Sequence, residues 1–503
     1  MSIRPSGQDA QDRPASRMAS DPPGAWTPGA GPRRRPTARA TFVRGSSLAL
    51  AVAASLTLWL APPPAWAQAT DARALAMGNA YSMVADEADM AAWNPALLAI
   101  SQPNQHWFEL TAPALSLGLG NNFLSLNSIE NLLPGAKGQP AALSQNAVSS
   151  LLAGLPTSGW QIALDSGARA AIASPPLATS VMLETDADVQ DLGIPHDLVQ
   201  LLLEGNTNTP QVDISALDGA TVAAIASAGI SHAIALPHFL GKESALGVTV
   251  KYLQGLAYGT VTNATGSLAT TDPLGEVSAS ASLEYQAAYP TSLSNLLSTG
   301  SGVAVDLGFV NQLNDQLRWG LMMGNLGYIK WNHIQDRVES VNQAPTGAGL
   351  SATGAASTPN FSNALKQANG VSNGKSNIDG HLPPYARIGV AWEGNLGLPR
   401  TSRSHDPWSM PVIASLDAQQ GFGEGYGIST TPELRLGLEV RPLGRWLPLR
   451  VGTTVGGDLP MMGAGFGIDL DRFRIDVAAG TMFGYFDNSA KGLYGTVTTN
   501  FAI

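Results

Sequence analysis

The sequence lacks cysteine and carries little charge. None of its 503 residues is Cys, so neither a disulfide nor a thiolate metal ligand or nucleophile can form. Charged residues make up 13% of the chain and apolar residues 44%, a balance that is unusual for a soluble enzyme. The formal net charge of -10 argues against nucleic acid as a partner, because binding phosphates requires a basic face.

Long apolar runs are also missing from most of the chain. After residue 67 there is no stretch of 18 consecutive apolar residues, so nothing there predicts a membrane-spanning helix. If such a chain is exported, it either stays soluble or crosses a membrane as a closed β-barrel, whose strands satisfy one another's backbone hydrogen bonds.

Residues 1–67 have the pattern of an export signal. Arginines precede an apolar run over residues 48–61, which is followed by the small-x-small sequence Ala65-Trp66-Ala67. This order predicts a signal peptide that is cleaved after Ala67, with Met18 as an alternative start of translation. The other interpretation is a membrane anchor, but the run is shorter than the roughly 20 residues of a spanning helix. Cleavage removes eight Arg and three Asp, which lowers the formal net charge to -15.

In the second half of the chain, apolar residues alternate with polar or small ones. In ELRLGLEVR (residues 433–441), every second residue is Leu or Val, and 317–323, 387–393 and 473–483 repeat the pattern. A period of two places the apolar side chains on one face of a strand, as in a membrane barrel or a soluble sandwich. The polar second face, the short connections after residue 383 and the strand-like ending GLYGTVTTNFAI favour the membrane barrel.

Fifteen segments predict strands. They lie near residues 106–119, 159–172, 175–188, 216–236, 243–270, 274–288, 300–312, 315–342, 383–395, 408–420, 431–442, 446–457, 461–470, 472–484 and 490–503. Bacterial barrels normally have an even number of strands, so either one segment is misassigned or 243–270 and 274–288 extend past the membrane as a long hairpin. The predicted fold is therefore all-β, a transmembrane antiparallel barrel of about 14 strands.

Several insertions interrupt the strand pattern. Segments 127–135, 143–156 and 195–206 have helical patterns, and Gly205 with Asn206 forms a C-terminal stop. These helices are expected to dock across a barrel mouth, although the last of them is also a candidate partner-binding helix. Residues 342–381 are polar and Gly-rich, which predicts a long surface loop.

No combination of residues predicts catalysis. The one Gly-x-Ser-x-Gly match, at 370–374, falls in the polar loop without the strand and helix that a nucleophile elbow needs. We therefore expect no enzymatic activity and no cofactor.

A metal site is not predicted either. The seven histidines are scattered, and the spacing of His232 and His238 suits no standard metal site. The carboxylate pairs are interpreted as solvated loop or rim groups rather than as a Ca²⁺ site; they are Asp186 with Asp188 and Asp469 with Asp471.

The stretch DARALAMGNAYSMVADEADMAAWNPALLA (residues 71–99) resembles the start of the FadL-like outer-membrane barrels, including the PorV type and the TraF-type family. These begin with an Ala-Arg-x-x-Gly-Met-Gly-like turn, a VADD region and an Asn-Pro-Ala motif. The counterparts in this sequence are Ala72, Arg73, Met77, Gly78, Val84, Ala85, Asp86, Glu87, Trp93, Asn94, Pro95 and Ala96. Asn79 departs from the pattern, since relatives often carry a second Gly there. The rest of the mature chain resembles an uncharacterised family of such barrels.

The resemblance implies a Gram-negative outer membrane as the location. It also implies an N-terminal hatch over residues 68–104, folded back into a barrel of residues 105–503. The candidate site is the hatch motif Trp93, Asn94, Pro95 and Ala96. Because Pro95 disfavours α geometry at Asn94 and lacks a donor, a helix over 71–92 is expected to end there. The alternative is that Pro95 ends an ordinary surface helix.

Two functions follow from this resemblance. One is a plugged channel for passive uptake of hydrophobic or small molecules; the other is a non-transporting, PorV-like scaffold in an envelope or secretion assembly. A barrel enzyme is a third class, but no nucleophile-base pair supports it. The expected partners are the outer-membrane bilayer, the barrel-assembly machinery during biogenesis and a hydrophobic small-molecule cargo. No motif matches the cargo pocket of the fatty-acid transporters.

Overall fold

The computed structural model describes 13 stretches of the chain. They are residues 71–101, 106–128, 145–157, 159–204, 211–213, 215–237, 241–270, 277–290, 293–346, 369–397, 409–423, 425–486 and 488–503. The predicted signal peptide lies outside the described residues.

The described residues contain 18 strands. In chain order these are β1 (Glu109–Asn121), β2 (Trp160–Ser174), β3 (Thr179–Ile194), β4 (Gln211–Asp213), β5 (Thr221–Leu236), β6 (Glu243–Thr270), β7 (Val277–Ala288), β8 (Gly300–Gln312), β9 (Leu317–Thr346), β10 (Asn369–His381), β11 (Tyr385–Gly397), β12 (Ser409–Gly421), β13 (Glu433–Val440), β14 (Pro442–Arg445), β15 (Leu449–Gly456), β16 (Met461–Asp469), β17 (Phe473–Met482) and β18 (Gly492–Ala502).

Helical elements are short. The α-helices are α1 (Ala72–Ala76), α2 (Met90–Trp93), α3 (Gln145–Gly154) and α4 (His196–Glu204). Single 3₁₀ turns occur at Glu87–Asp89, Pro95–Ala99, Pro175–Leu177, Ser215–Leu217 and Leu293–Ser298. Among the residues that the structure describes, no helix is long and apolar enough to cross a membrane.

Fourteen strands close an antiparallel ring, which confirms the predicted barrel. The order around the ring is β1, β2, β3, β5, β6, β8, β9, β11, β12, β13, β15, β16, β17 and β18, and β18 pairs with β1. Closure leaves this sheet without an unpaired edge, as a strand structure in lipid requires.

Two strands continue beyond the ring. The second half of β6 pairs with β7, and the second half of β9 pairs with both β7 and β10. The two segments 243–270 and 274–288 therefore form a long hairpin that extends past the ring, and its extension past the membrane stays a prediction. The connections at the opposite end are short, such as Leu313–Gln316 between β8 and β9. We call the two ends of the barrel the loop end and the turn end; in outer-membrane barrels these face the outside and the periplasm.

The outer surface of the ring is apolar and the inner surface polar. On β13, Leu434, Leu436 and Leu438 are exposed on the outside, while Arg435 and Glu439 are buried in the lumen. Such an exterior suits a lipid environment. Exposed aromatic residues also lie at both ends, as in the girdles of membrane barrels: Trp107, Phe108 and Trp446 at the turn end, Phe422 and Phe486 at the loop end.

Some local predictions were wrong. Residues 342–381 do not form one loop, because β9 runs to Thr346 and Asn369–His381 is a strand paired with β9. The strands β4 and β14 were also missed, and both have four residues or fewer. Helices were correct at 143–156 and 195–206, although Gly205 and Asn206 are outside the described residues. Most of 127–135 is outside them as well.

The closed ring predicts heat-modifiable migration. A barrel that survives in mild detergent should run at a different apparent mass before and after boiling, and its circular dichroism should be dominated by strand. Opening the ring at any ladder leaves the backbone groups of two strands unpaired, so boiling is expected to be needed. A species that is soluble without detergent would contradict this prediction.

Candidate functional site: the N-terminal segment in the barrel lumen

Residues 71–101, called here the N-terminal segment, lie inside the ring. Nearly all of the described side chains from Asp71 to Ile100 are buried. The segment begins with α1, whose N-cap Asp71 accepts hydrogen bonds from the backbone N–H groups of Arg73 (2.6 Å) and Ala74 (3.1 Å).

The expected single helix over 71–92 is wrong. α1 ends at Ala76, and both Gly78 (φ 60°) and Asn79 (φ 58°) adopt left-handed backbone conformations that stop the helix. Asn tolerates this conformation better than most residues, which explains how it replaces the second Gly of the motif. A separate one-turn helix, α2, follows at Met90–Trp93.

A row of four glycines on the barrel wall receives α1. Gly437, Gly452, Gly463 and Gly480 are successive register partners across β13, β15, β16 and β17. A Cβ atom added at Gly437 would lie 2.7 Å from the carbonyl oxygen of Met77, and one at Gly452 would overlap the Met77 and Gly78 backbone. The missing side chains therefore form a groove in which the backbone of the N-terminal segment touches the wall.

A second glycine pair receives the Asn-Pro-Ala motif. Gly247 on β6 and Gly308 on β8 are register partners. A Cβ atom at Gly247 would lie 2.6 Å from the carbonyl oxygen of Pro95, and one at Gly308 would lie 3.0 Å from its Cδ. The segment thus touches two separated parts of the ring, β13–β17 and β6–β8.

Each residue of the predicted hatch motif has a defined place. Asn94 ends α2 in an extended conformation, and its Oδ1 accepts a hydrogen bond from the N–H of Ala96 (3.1 Å) at the start of the 3₁₀ turn Pro95–Ala99. Its Nδ2 donates to the carbonyl of Leu321 (3.2 Å). Pro95 takes the first position of that turn, where no N–H is needed. It is buried, so it does not end a surface helix.

Trp93 is the aromatic part of the motif. Its side chain is buried, its ring meets Tyr81 edge to face (centroids 5.3 Å apart), and the Arg387 guanidinium lies 5.2 Å from its centroid. Arg387 belongs to β11, so this cation–π contact joins the motif to the wall.

A buried ionic network ties the segment to three strands. Arg73 pairs with Asp86 within the segment, and its Nε lies 2.8 Å from Glu439 Oε2 on β13. Asp86 in turn pairs with Arg474 on β17 (3.0 Å). The wall side of the network is completed by three further groups: Arg441, Arg450 and Asp476. Removing one partner from such a network leaves a buried charge unpaired, which typically costs about 3–5 kcal/mol.

The network stays charged in mild acid. Burial alone would raise the pKa of Asp86, but Arg474 and Arg73 hold it well below its ordinary value. A lowered pKa means that the stabilisation is fully present above about pH 3.9 and is lost only as the pH falls further.

Asp417 on β12 forms the other anchor. Its Oδ2 accepts hydrogen bonds from the backbone N–H groups of Tyr81 (3.0 Å) and Ser82 (2.9 Å), and its Oδ1 accepts from Ser82 Oγ (2.8 Å). Three donors on one buried carboxylate fix the turn that follows Asn79.

A small cavity remains on the loop side of Trp93. Its volume is about 80 Å³, and its floor is formed by Ala92 and Trp93. Asp186 and Asp188 line it, and Asp188 is buried, so the interpretation of this pair as solvated rim groups is wrong. Within the described part of the chain, no group of three or more His, Asp or Glu residues is placed to hold a metal ion.

A closed antiparallel barrel with an apolar exterior and a polar lumen defines an outer-membrane β-barrel protein. Residues 102–479 match a family of unknown function, DUF5723, and the chain belongs to that family. No curated protein matches the sequence.

Solved structures with a similar fold include three outer-membrane proteins. They are the Ralstonia pickettii toluene transporter TbuX (12% identity, 86% of this chain and 98% of that one, TM-score 0.43), a Pseudomonas aeruginosa FadL homologue (12%, 88% and 98%, 0.41) and the Pseudomonas putida toluene transporter TodX (10%, 85% and 96%, 0.40). At these identities a shared fold implies no shared cargo.

Proposed function

We propose that the protein is a plugged channel for the passive uptake of hydrophobic or small molecules. The N-terminal segment is its plug, and Trp93, Asn94, Pro95 and Ala96 hold that plug against the wall. The observation that carries the proposal is the filling of the lumen by a segment whose contacts with the wall are all non-covalent.

Passage requires the plug to shift. In the glycine groove the wall contributes no side chains, so the segment can leave the groove once its polar anchors and its apolar contacts with the wall are released. The Arg73–Glu439 and Asp86–Arg474 pairs and the Asp417 bonds hold the closed state. A solute in the cavity touches Trp93, and only preferential binding to the shifted plug would move this equilibrium.

The scaffold remains the second candidate. The strands β6, β7, β9 and β10 project beyond the ring at the loop end. An extension of this kind offers a partner-binding surface that a simple channel does not require. In that case a partner should co-purify with the protein and no permeation should be measured.

Permeation measurements on the purified protein in vesicles distinguish the channel from the scaffold. Solute-dependent uptake or conductance supports the channel, whereas a stable partner without permeation supports the scaffold. The lipid bilayer and the barrel-assembly machinery are proposed partners in both cases. We propose no enzymatic role.

We also propose cleavage of the signal peptide after Ala67. N-terminal sequencing of the mature protein tests this, and the sequence should begin at Gln68.

Asp417→Asn should loosen the plug. The amide offers one acceptor oxygen and turns its NH₂ group toward donors, so at least one of three buried hydrogen bonds is lost at a cost of about 1–3 kcal/mol. The open fraction in single-channel recordings should rise roughly 5- to 150-fold. Asp315→Asn, in an exposed turn, is the matched control and should leave the recordings unchanged. An unchanged open fraction in Asp417→Asn would show that this carboxylate does not hold the plug.

A further inference from the structure

The cavity above Trp93 has charged walls. On β3, Glu184, Asp186 and Asp188 line it one after another, because alternate residues of a strand share a face. On β11, Tyr385 and Arg387 line a different part of the wall. Acidic and basic groups therefore approach the same small space from separate strands of the ring.

The loop between β12 and β13 covers this space. Gly425 and Ile428 pair through two backbone hydrogen bonds (3.1 and 3.0 Å), and between them Tyr426 takes a left-handed conformation (φ 49°). Tyr426 and Ile428 line the cavity. Burial raises the pKa of Tyr426 to about 12, so its hydroxyl is neutral at physiological pH. The cavity is thus lined by the N-terminal segment on one side and by the β12–β13 loop on another.

Some of the charges are already neutralised by neighbours. Arg169 Nε lies 3.0 Å from Glu184 Oε1, and Lys251 lies 2.6 Å from Asp306. Asp186 is different, because no cation among the described residues lies within ion-pair distance of it.

Arg387 also lacks a carboxylate partner among the described residues. Its guanidinium donates to the neutral amide oxygen of Gln419 (3.1 and 2.6 Å) and lies over the rings of Trp93 and Tyr385. On separate walls of the cavity, the Asp186 carboxyl group and the Arg387 guanidinium therefore both lie outside the ion pairs formed among the described residues.

Hydrogen-bonding capacity is also left over in the cavity lining. Among the described residues, Asp186 Oδ1 finds no hydrogen-bond donor, and neither Arg169 Nη1 nor Trp93 Nε1 finds an acceptor. Arg169 is 3% exposed and Trp93 2% exposed, so both donors belong to deeply buried side chains. Buried polar groups normally have partners, because leaving one unpaired costs free energy.

We propose that this cavity binds a small zwitterion of the amino-acid class, with its ammonium group toward Asp186 and its carboxylate toward Trp93 Nε1 and the arginines. This inference rests on the proposed function, for which it names the class of solute. A zwitterion supplies an ammonium donor for Asp186 Oδ1 and a carboxylate acceptor for the two buried donors, whereas an apolar solute would leave each of these groups without a hydrogen bond. The cavity volume of about 80 Å³ is several times the roughly 10–15 Å³ that one water needs, so a ligand of a few heavy atoms fits. Glycine is the smallest member of the class.

Equilibrium dialysis of radiolabelled glycine against the purified, detergent-solubilised protein tests the site. Glycine binding is expected to be saturable. Methylamine and acetate should each compete at least tenfold more weakly than unlabelled glycine, because methylamine can pair only with Asp186 and acetate only with the donor groups. Asp186→Asn should weaken glycine binding at least tenfold, while Asp315→Asn in the exposed turn should leave it unchanged. The competition series uses the unmodified protein, so it stands even if the variant fails to fold.

The proposal is overturned by any of three results: no saturable glycine binding, acetate or methylamine competing as well as glycine, or full affinity in a folded Asp186→Asn variant. Dialysis requires no permeation. Glycine binding without conductance would therefore refute the channel function and support the glycine site. Conductance without glycine binding would support the channel function and refute the glycine site.

Discussion

Gly452→Val is expected to displace the plug and raise single-channel conductance several-fold over that of the parent. Gly452 faces the lumen on β15, and even a single Cβ atom there would overlap the backbone of Met77 and Gly78. Backbone atoms cannot move aside by changing rotamer, so the segment must leave the groove or the strand must bend. The strand is held by backbone ladders on both sides, while the described part of the segment is held by side-chain packing, ion pairs and hydrogen bonds without such a ladder.

Gly495→Val is the matched control. Gly495 lies on β18, and an added Cβ atom would meet nothing within 4 Å. This variant introduces the same β-branched residue into a strand of the same barrel, and its conductance should equal that of the parent. Both variants should show the heat-modifiable migration of a closed ring. A folded Gly452→Val protein that conducts no better than Gly495→Val would contradict the expected displacement of the plug from the groove.

The strands were predictable because their pattern is local. Alternation placed all fifteen predicted segments on strands, since a half-buried strand needs apolar residues only on the lipid face. β10 was missed because NGVSNGKSNIDGH has no such alternation. Its pairing partner β9 makes it a strand, and that information lies elsewhere in the chain.

The N-terminal segment was predictable in part. The motif drew attention to Arg73, Asp86 and the Asn-Pro-Ala sequence, but the expected continuous helix ignored the left-handed positions at Gly78 and Asn79. A Gly-Asn pair after a short helical run is a recognisable signal for the end of a helix, and it predicts the end of α1.

The sequence pattern could not predict which wall residues contact the N-terminal segment. Glu439, Asp417 and Arg474 stand out only as polar residues on lumen faces, and the strand pattern does not say which of them meets Arg73 or Asp86. Ring closure and strand register decide that, over separations of more than 300 residues. The glycine row has the same origin, since Gly437 and Gly452 become neighbours only through the register of β13 and β15.

Deleting residues 71–99 has the largest expected effect. The ring supplies its own backbone hydrogen bonds, so the strands should still close without the segment. The lumen would lose the segment that fills it, including Trp93 and the glycine-groove contacts, and Glu439 and Asp417 would line an open passage. Pro95→Ala should do far less, because Asn94 keeps its cap and the proline contributes no donor.

Single-channel conductance of the 71–99 deletion in planar bilayers, beside the parent and Pro95→Ala, tests the central claim that this segment blocks the lumen. The deletion should conduct continuously and at least several-fold more than the parent, with unchanged strand content and heat-modifiable migration, and Pro95→Ala should stay near the parent. A deletion protein that closes into a normal barrel and conducts no more than the parent would contradict the claim.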